Sequence, residues 1–266
     1  MKEFADYLER QNLSPNTIKS YVYSVKDYQS KHEGFTKKEL LAYKGEIIGT
    51  YKAKTVNLRI QGLNSYLDYI KKPSLKLSYI KVQQKSYLEN VISNADYQFF
   101  KNQLKKKGYT EWYFVVRFLA ATGARISELV QFKAEHVIIG YIDIYSKGGK
   151  VRRIFIPKKL QKEALEWLKK TNTESGYLFK NQAGKTITTR GVAHRLKELA
   201  KSFGMNTKVI YPHSFRHLFA KNFLAKSQDI ALLADLMGHE SLETTRIYLR
   251  KTSEEQKEMV DNIVTW

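Results

Sequence analysis

The 266-residue chain contains no cysteine, which excludes disulfide staples, thiolate zinc sites and cysteine nucleophiles together. No stretch approaches the roughly 20 uninterrupted apolar residues that a membrane span requires, so a soluble protein with no membrane partner is expected. The opening MKEFADYLERQNLSPNT mixes charged and apolar residues at helical spacing where a secretory leader would be basic and then apolar. With the missing cysteines, this gives the expectation of a cytoplasmic protein. Internal repeats and low-complexity tracts are also missing. Acidic residues are scarce, 26 against 46 Lys and Arg, and those near the most distinctive segments, Glu128, Asp235 and Glu240, form no obvious cluster. A two-metal nuclease site is therefore not expected, and neither a metal nor a cofactor is called for.

What is present is core material and positive charge. At 42% hydrophobic and 13% aromatic residues the chain can fill a packed interior, and its formal charge of +20 makes nucleic acid the leading partner. Lysines and arginines that neutralise phosphates release condensed counterions, a gain that a polyanion offers in quantity. Acidic membrane surfaces fit less well, because the basic residues are spread along the chain and not gathered on one amphipathic segment.

The spacing of apolar residues divides the chain. Residues 1–72 read as all-helical: Phe4, Tyr7 and Leu8 recur at helix spacing, and Ser14–Pro15 is an N-cap followed by proline at the first helical position. Helices beginning near Thr36 and running from about Thr55 to Ile70 complete this unit. Residues 73–92 lose the helix period and read as an extended linker, and 93–266 as a second domain. In that domain Asn94 is expected to cap a helix through Leu104, and the apolar run WYFVVRFLAATG to end at Gly123. GYIDIYSKGGKVRRIFIP alternates in two runs about Gly148 and Gly149, the pattern of a β-hairpin. Helices near 158–170, 188–203, 213–226, 228–237 and 253–263 follow. The fold class is mainly α with a small β-hairpin, an α+β domain behind a smaller helical one.

Three segments place cations or nucleophiles beside glycine or at a helix start: ATGARISEL (121–129), YSKGGKVRR (145–153), and PHSFRH (212–217) with MGHESLETTRIYL (237–249). His213 and Arg216, three apart after Pro212, project from one helix face and suit a single anion. Alone, each residue has an ordinary structural reading, and Tyr248 is one of 18 tyrosines.

The ordered set ATGARISEL, KGGKVR, HSFRH, and GH with a tyrosine nine residues on resembles the tyrosine recombinase and phage integrase family over residues 94–250. LSPNTIKSYVYSVKDY is similar to the start of that family's helical core-binding domain, and the compact two-domain layout is like that of Xer-type recombinases and simple invertases. The resemblance implies that Arg125, Lys147, His213, Arg216 and His239 surround a DNA phosphate, that Tyr248 attacks it, and that Glu128 supports the site through hydrogen bonds. Lys150 is the alternative hairpin lysine and a DNA contact. It further implies two domains closing on the duplex as a clamp. Lys52, Lys54 and Arg59 are the expected phosphate contacts of the first domain, and Arg190, His194 and Arg195 those of the second. The implied partners are double-stranded DNA with short inverted-repeat sites and, on two such sites, three further copies of this chain that is otherwise monomeric or weakly associated. Two alternatives stay open: a type IB topoisomerase-like enzyme, which relaxes one duplex without a partner site, and a DNA-binding regulator that keeps the fold without catalysis.

Overall fold

A computed structural model describes residues 1–83, 90–145, 151–239, 241–250 and 253–264. The chain divides into two compact units, Met1–Lys85 and Ser86–Trp266.

The first unit packs four helices, α1 (Lys2–Arg10), α2 (Pro15–Gln29), α3 (Lys37–Thr50) and α4 (Ala53–Tyr69). The Ser14 Oγ accepts the Thr17 N–H at 3.2 Å with Pro15 starting the helix, and Thr36 and Glu39 form a capping box at the start of α3. Apolar residues at three- and four-residue spacing face inward: Ile18, Tyr21, Val25 and Tyr28 on α2 meet Val56, Ile60, Leu63 and Leu67 on α4.

The expectation of a linker from residue 73 is corrected. A 3₁₀ turn at Pro73–Leu75 leads into an extended stretch that belongs to the first unit, with Leu77 only 3% exposed in its core. Two asparagines of α4 pair with this stretch as a neighbouring strand would. Asn64 exchanges two hydrogen bonds with the Leu77 backbone at 2.8 and 2.9 Å, and Asn57 two with Ile80 at 2.9 Å. Lys37 and Lys44 donate to the carbonyls of Leu75, Lys76 and Ser78. At the other end, Ile92 lies in the core of the second unit and donates its N–H to the buried Ser214 Oγ at 2.7 Å.

The second unit comprises α5 (Asn94–Lys106), α6 (Thr110–Thr122), α7 (Ile126–Leu129), α8 (Ala134–Ile139), the strands β1 (Tyr141–Tyr145) and β2 (Val151–Phe155), α9 (Lys158–Lys170), α10 (Thr189–Ser202), α11 (Pro212–Ser227), α12 (Ile230–Met237), α13 (Leu242–Arg246), a 3₁₀ turn at Ile247–Leu249, and α14 (Ser253–Ile263). The cap of α5 is Ser93, not Asn94: its Oγ accepts the Asp96 N–H at 3.0 Å. Helix α6 is apolar on most sides, with Phe114, Val115, Val116, Phe118 and Leu119 all buried, and so sits at the centre with α5, α9 and α11 around it. The strands pair antiparallel from Tyr141 with Phe155 to Tyr145 with Val151. Their turn, with Lys147, Gly148, Gly149 and Lys150, lies outside the described residues. Helix α14 buries no residue, and its Glu255 pairs with Lys221 of α11.

Candidate active site

Two helix ends build the site. Helices α6 and α12 each stop at a glycine in the left-handed conformation, Gly123 (φ 63°) and Gly238 (φ 61°), where a β-carbon would lie 2.5 Å from Phe219 and from Arg152 respectively. A helix C-terminus leaves carbonyls without intrahelical donors and carries partial negative charge, so it attracts cations. Here the cations are guanidiniums. Arg216, 1% exposed on α11, donates to the Gly123 and Met237 carbonyls, each at 2.6 Å. Arg125 donates to the Gly238 carbonyl at 3.0 Å and to Glu128 at 2.9 Å. The second oxygen of Glu128 accepts the Arg125 backbone N–H, and this carboxylate, 5% exposed, thereby fixes the start of α7.

His239 follows Gly238. Its Nε2 faces Arg216 Nη2 at 3.0 Å and its Nδ1 faces the buried Thr245 Oγ at 2.8 Å. A guanidinium can only donate, so Nε2 is the lone-pair nitrogen and the Nδ1–H donates to Thr245. Burial, and then the charges of Arg216 and Arg125, push the His239 pKa down to about 4, so the ring is neutral at pH 7.

Tyr248 is 5% exposed, seated among Ala220, Leu224, Leu233 and Met237. Its ring lies parallel to His239 (centroids 5.9 Å apart, 12° between planes) and edge-on to His217 (5.0 Å). Burial raises its pKa, opposed by the charge of Arg216 and a hydrogen bond from it. His213 lies on the exposed side of α11, 4.7 Å from the His217 ring, and loss of water followed by the charges of Arg216 and Arg125 lowers its pKa. Arg125 and His239 line an open cavity of about 1090 Å³ with Arg152, Arg153, Ser241 and Thr244. Among the described residues no group of three His, Asp or Glu side chains is placed to hold a metal ion.

Of the residues singled out in the sequence, the structure therefore brings Arg125, Glu128, Arg216, His239 and Tyr248 together, with His213 one ring away. Lys147 lies outside the described residues. Two members of the cluster were missed. Arg152 of β2 donates to Glu128 at 2.6 Å and to the Met237 carbonyl; strand alternation places it on the side of the buried Ile154, whereas Arg153 turns outward to Asp143. His217 is 9% exposed, its Nδ1 has no partner among the described residues, and burial pushes its pKa down to about 4. Its position beside Arg216 in HSFRH was the available signal.

The expectation that Arg59 contacts phosphate is corrected. It is 7% exposed, bound to Asp27 at 2.9 Å, and lies over the rings of Tyr51 and Tyr23 at 4.3 and 5.1 Å. Lys52, Lys54, Arg190 and His194 are exposed, and Arg195 is paired with Glu198 at 3.2 Å.

Residues 86–255 match the model of the phage integrase family. The chain is 30% identical over 273 residues to the tyrosine recombinase XerA of Pyrococcus furiosus, covering 98% of this chain and 92% of that one. It is 28% identical to the tyrosine recombinase XerC of Leptospira interrogans over 97% of this chain and 90% of that one. Among solved structures it shares the fold of the Tn1549 transposon integrase in complex with circular intermediate DNA (TM-score 0.73, 17% identity, 98% of both chains). It likewise shares that of a lambda integrase dimer bound to a core site (TM-score 0.73, 18% identity, 96% of this chain and 95% of that one). No described helix is long and apolar enough to cross a membrane.

Proposed function

The chain belongs to the phage integrase family of tyrosine recombinases and is a site-specific recombinase of DNA; from that premise we propose that Tyr248 is its nucleophile and that Arg125, Arg216 and His239 hold the phosphate under attack. The observation that carries this reading is the lodging of the Tyr248 ring against His239, beside a buried Arg216 whose charge no carboxylate among the described residues bonds directly.

The chemistry follows from charge. When the phenol oxygen attacks phosphorus, negative charge gathers on the non-bridging oxygens, and two preorganised guanidinium forks stabilise it without having to reorganise. The Tyr248 Oη–P bond forms as the P–O5′ bond breaks, leaving a 3′-phosphotyrosine and a 5′-oxygen that takes a proton. Lys147 of the hairpin is the donor we assign, with Lys150 as its alternative. A phenol held above its ordinary pKa needs a proton acceptor, and the neutral His213 at the rim is suited to the task. Attack by a 5′-hydroxyl from a second DNA end reverses the step and joins new strands without ATP. In the full reaction four copies act on two inverted-repeat sites through a Holliday junction. The two units clamp the duplex, with Lys52, Lys54, Arg190, His194 and Arg195 as phosphate contacts, in a cytoplasmic setting.

The test begins with sheared DNA from the region flanking the gene. Covalent complexes are trapped with detergent, recovered and sequenced, and the captured sequence is rebuilt as a nicked duplex. Tyr248→Phe is expected to abolish the adduct while leaving duplex binding intact. A plasmid carrying two copies of the site is expected to yield inverted or deleted products; relaxation alone would point to a topoisomerase, and adducts persisting in the Tyr248→Phe variant would refute the assignment.

A further inference from the structure

The cations of the site do not hold themselves in place. Arg125 and Arg216 belong to different segments of the chain, and the side chain that touches both of their anchors comes from the hairpin. Arg152 donates through Nη2 to Glu128, the carboxylate that binds Arg125, and through Nη1 to the Met237 carbonyl, the same oxygen that accepts from Arg216. Its side chain is only 11% exposed and it lines the cavity together with Arg125 and His239. Its Cδ also fills the space a β-carbon on residue 238 would take, so the glycine at the end of α12 leaves room for this arginine to pass.

We infer that Arg152 is a positioning residue of the active site: a third guanidinium that ties the Arg125–Glu128 pair to the end of α12 and so aligns Arg125 and Arg216 for one phosphate. Only a planar fork can serve two acceptors lying in different directions, which a lysine ammonium on a flexible stem would not hold in register. The same placement sets the charge of the pocket. Among the described residues Glu128 is the one carboxylate bonded to Arg125, Arg152 or Arg216, so cations outnumber it where the attacked phosphate develops a second negative charge. The Nε of Arg152 finds no acceptor among the described residues, and burial together with the charge of Arg125 lowers its pKa against the pull of Glu128, as befits a cation short of counter-charge.

The inference rests on the proposed phosphate site, and the experiment separates the two. In the full chain without DNA, ¹⁵N NMR follows the guanidinium N–H signals of Arg125 and Arg216. They are expected to be held and separately resolved, and in Arg152→Gln the Arg125 signals are expected to merge as its rotation is freed; signals unchanged in that variant would overturn the positioning role. On the nicked duplex recovered above, at saturating DNA, adduct formation is expected to slow on the order of 10²-fold in Arg152→Gln, the usual loss for one preorganised donor. Half-saturating DNA is expected to stay within about threefold of the parent. Arg152→Lys is expected to recover little of the rate, because it restores charge without the fork. A Gln variant within about threefold of the parent rate, a Lys variant with full activity, or a loss confined to DNA binding would each overturn the inference. If Arg152→Gln does not fold, as judged by thermal melting, Arg152→Lys carries both readouts. Should the parent form no adduct, the functional reading fails, and the NMR signals still decide whether Arg152 orders its neighbours.

Discussion

Two buried arginines, one in each unit, have opposite chemistry. Arg59 lies among Asp27, Tyr43, Tyr51 and Tyr23, and although burial opposes its charge, the polar surroundings of Tyr23, Tyr43 and the Asp27 carboxylate outweigh it and raise its pKa. Arg216 is more deeply buried, yet its bonds go to two carbonyls and a neutral histidine, with Arg125 and Arg152 nearby; burial and that repulsion lower its pKa to about 10. Burying a charge is costly unless it is matched, and the first unit matches it internally. In the second unit Arg216 has no carboxylate bonded to it among the described residues, and the DNA phosphate is the match we propose. Burial of an arginine therefore does not mark a site; the charge left over does.

Replacing each arginine in turn puts this contrast at greatest risk. Arg216→Lys is expected to slow adduct formation by about 10²–10³-fold, because an ammonium cannot reproduce the fork, while the protein still folds. Single-turnover trapping on the nicked duplex measures it. Arg59→Met is expected to leave that rate unchanged and to lower unfolding free energy by about 3–5 kcal/mol, since Asp27 loses its buried partner. Urea titration reads that loss, and removing Asp27 as well, as Asp27→Leu with Arg59→Leu, is expected to restore more than half of it. A smaller loss, about 1–2 kcal/mol before any repacking of Phe219, is expected for Gly123→Ala, which forces a β-carbon into the left-handed conformation.

Acidification tests the same pocket through its imidazoles. His239 and His217 titrate near 4 in the folded chain against an ordinary value of 6.5. The unfolded chain therefore takes up more protons between those values, and stability must fall as pH drops from about 6.5 towards 4 and level off below. A urea midpoint that rises on acidification through this window would contradict the neutral, buried rings.

Much of the site was legible because it is local. A glycine after an apolar helix reads as a C-cap, and both ATGAR and LMGHE are such caps, each with a charged or titratable residue one or two places beyond. The hairpin was legible from its period of two. What escaped depends on distant partners. Nothing near Arg59 in sequence announces Asp27, 32 residues away, and nothing in residues 73–80 announces that Asn57 and Asn64 will pair with them as a strand would. Short helices such as Ile126–Leu129 and Leu242–Arg246 are too brief to carry a periodic signal. Of the two adjacent arginines in β2, only alternation against Ile154 tells which one turns inward.

If the uncompensated charge around Arg216 serves an attack by Tyr248, the bond that this attack makes can be read directly, by mass spectrometry of the trapped protein–DNA complex after nuclease and protease digestion. A nucleotide joined through its 3′-phosphate to the peptide containing Tyr248 is the predicted result. The same adduct on any of the other 17 tyrosines, or on a serine, would contradict it.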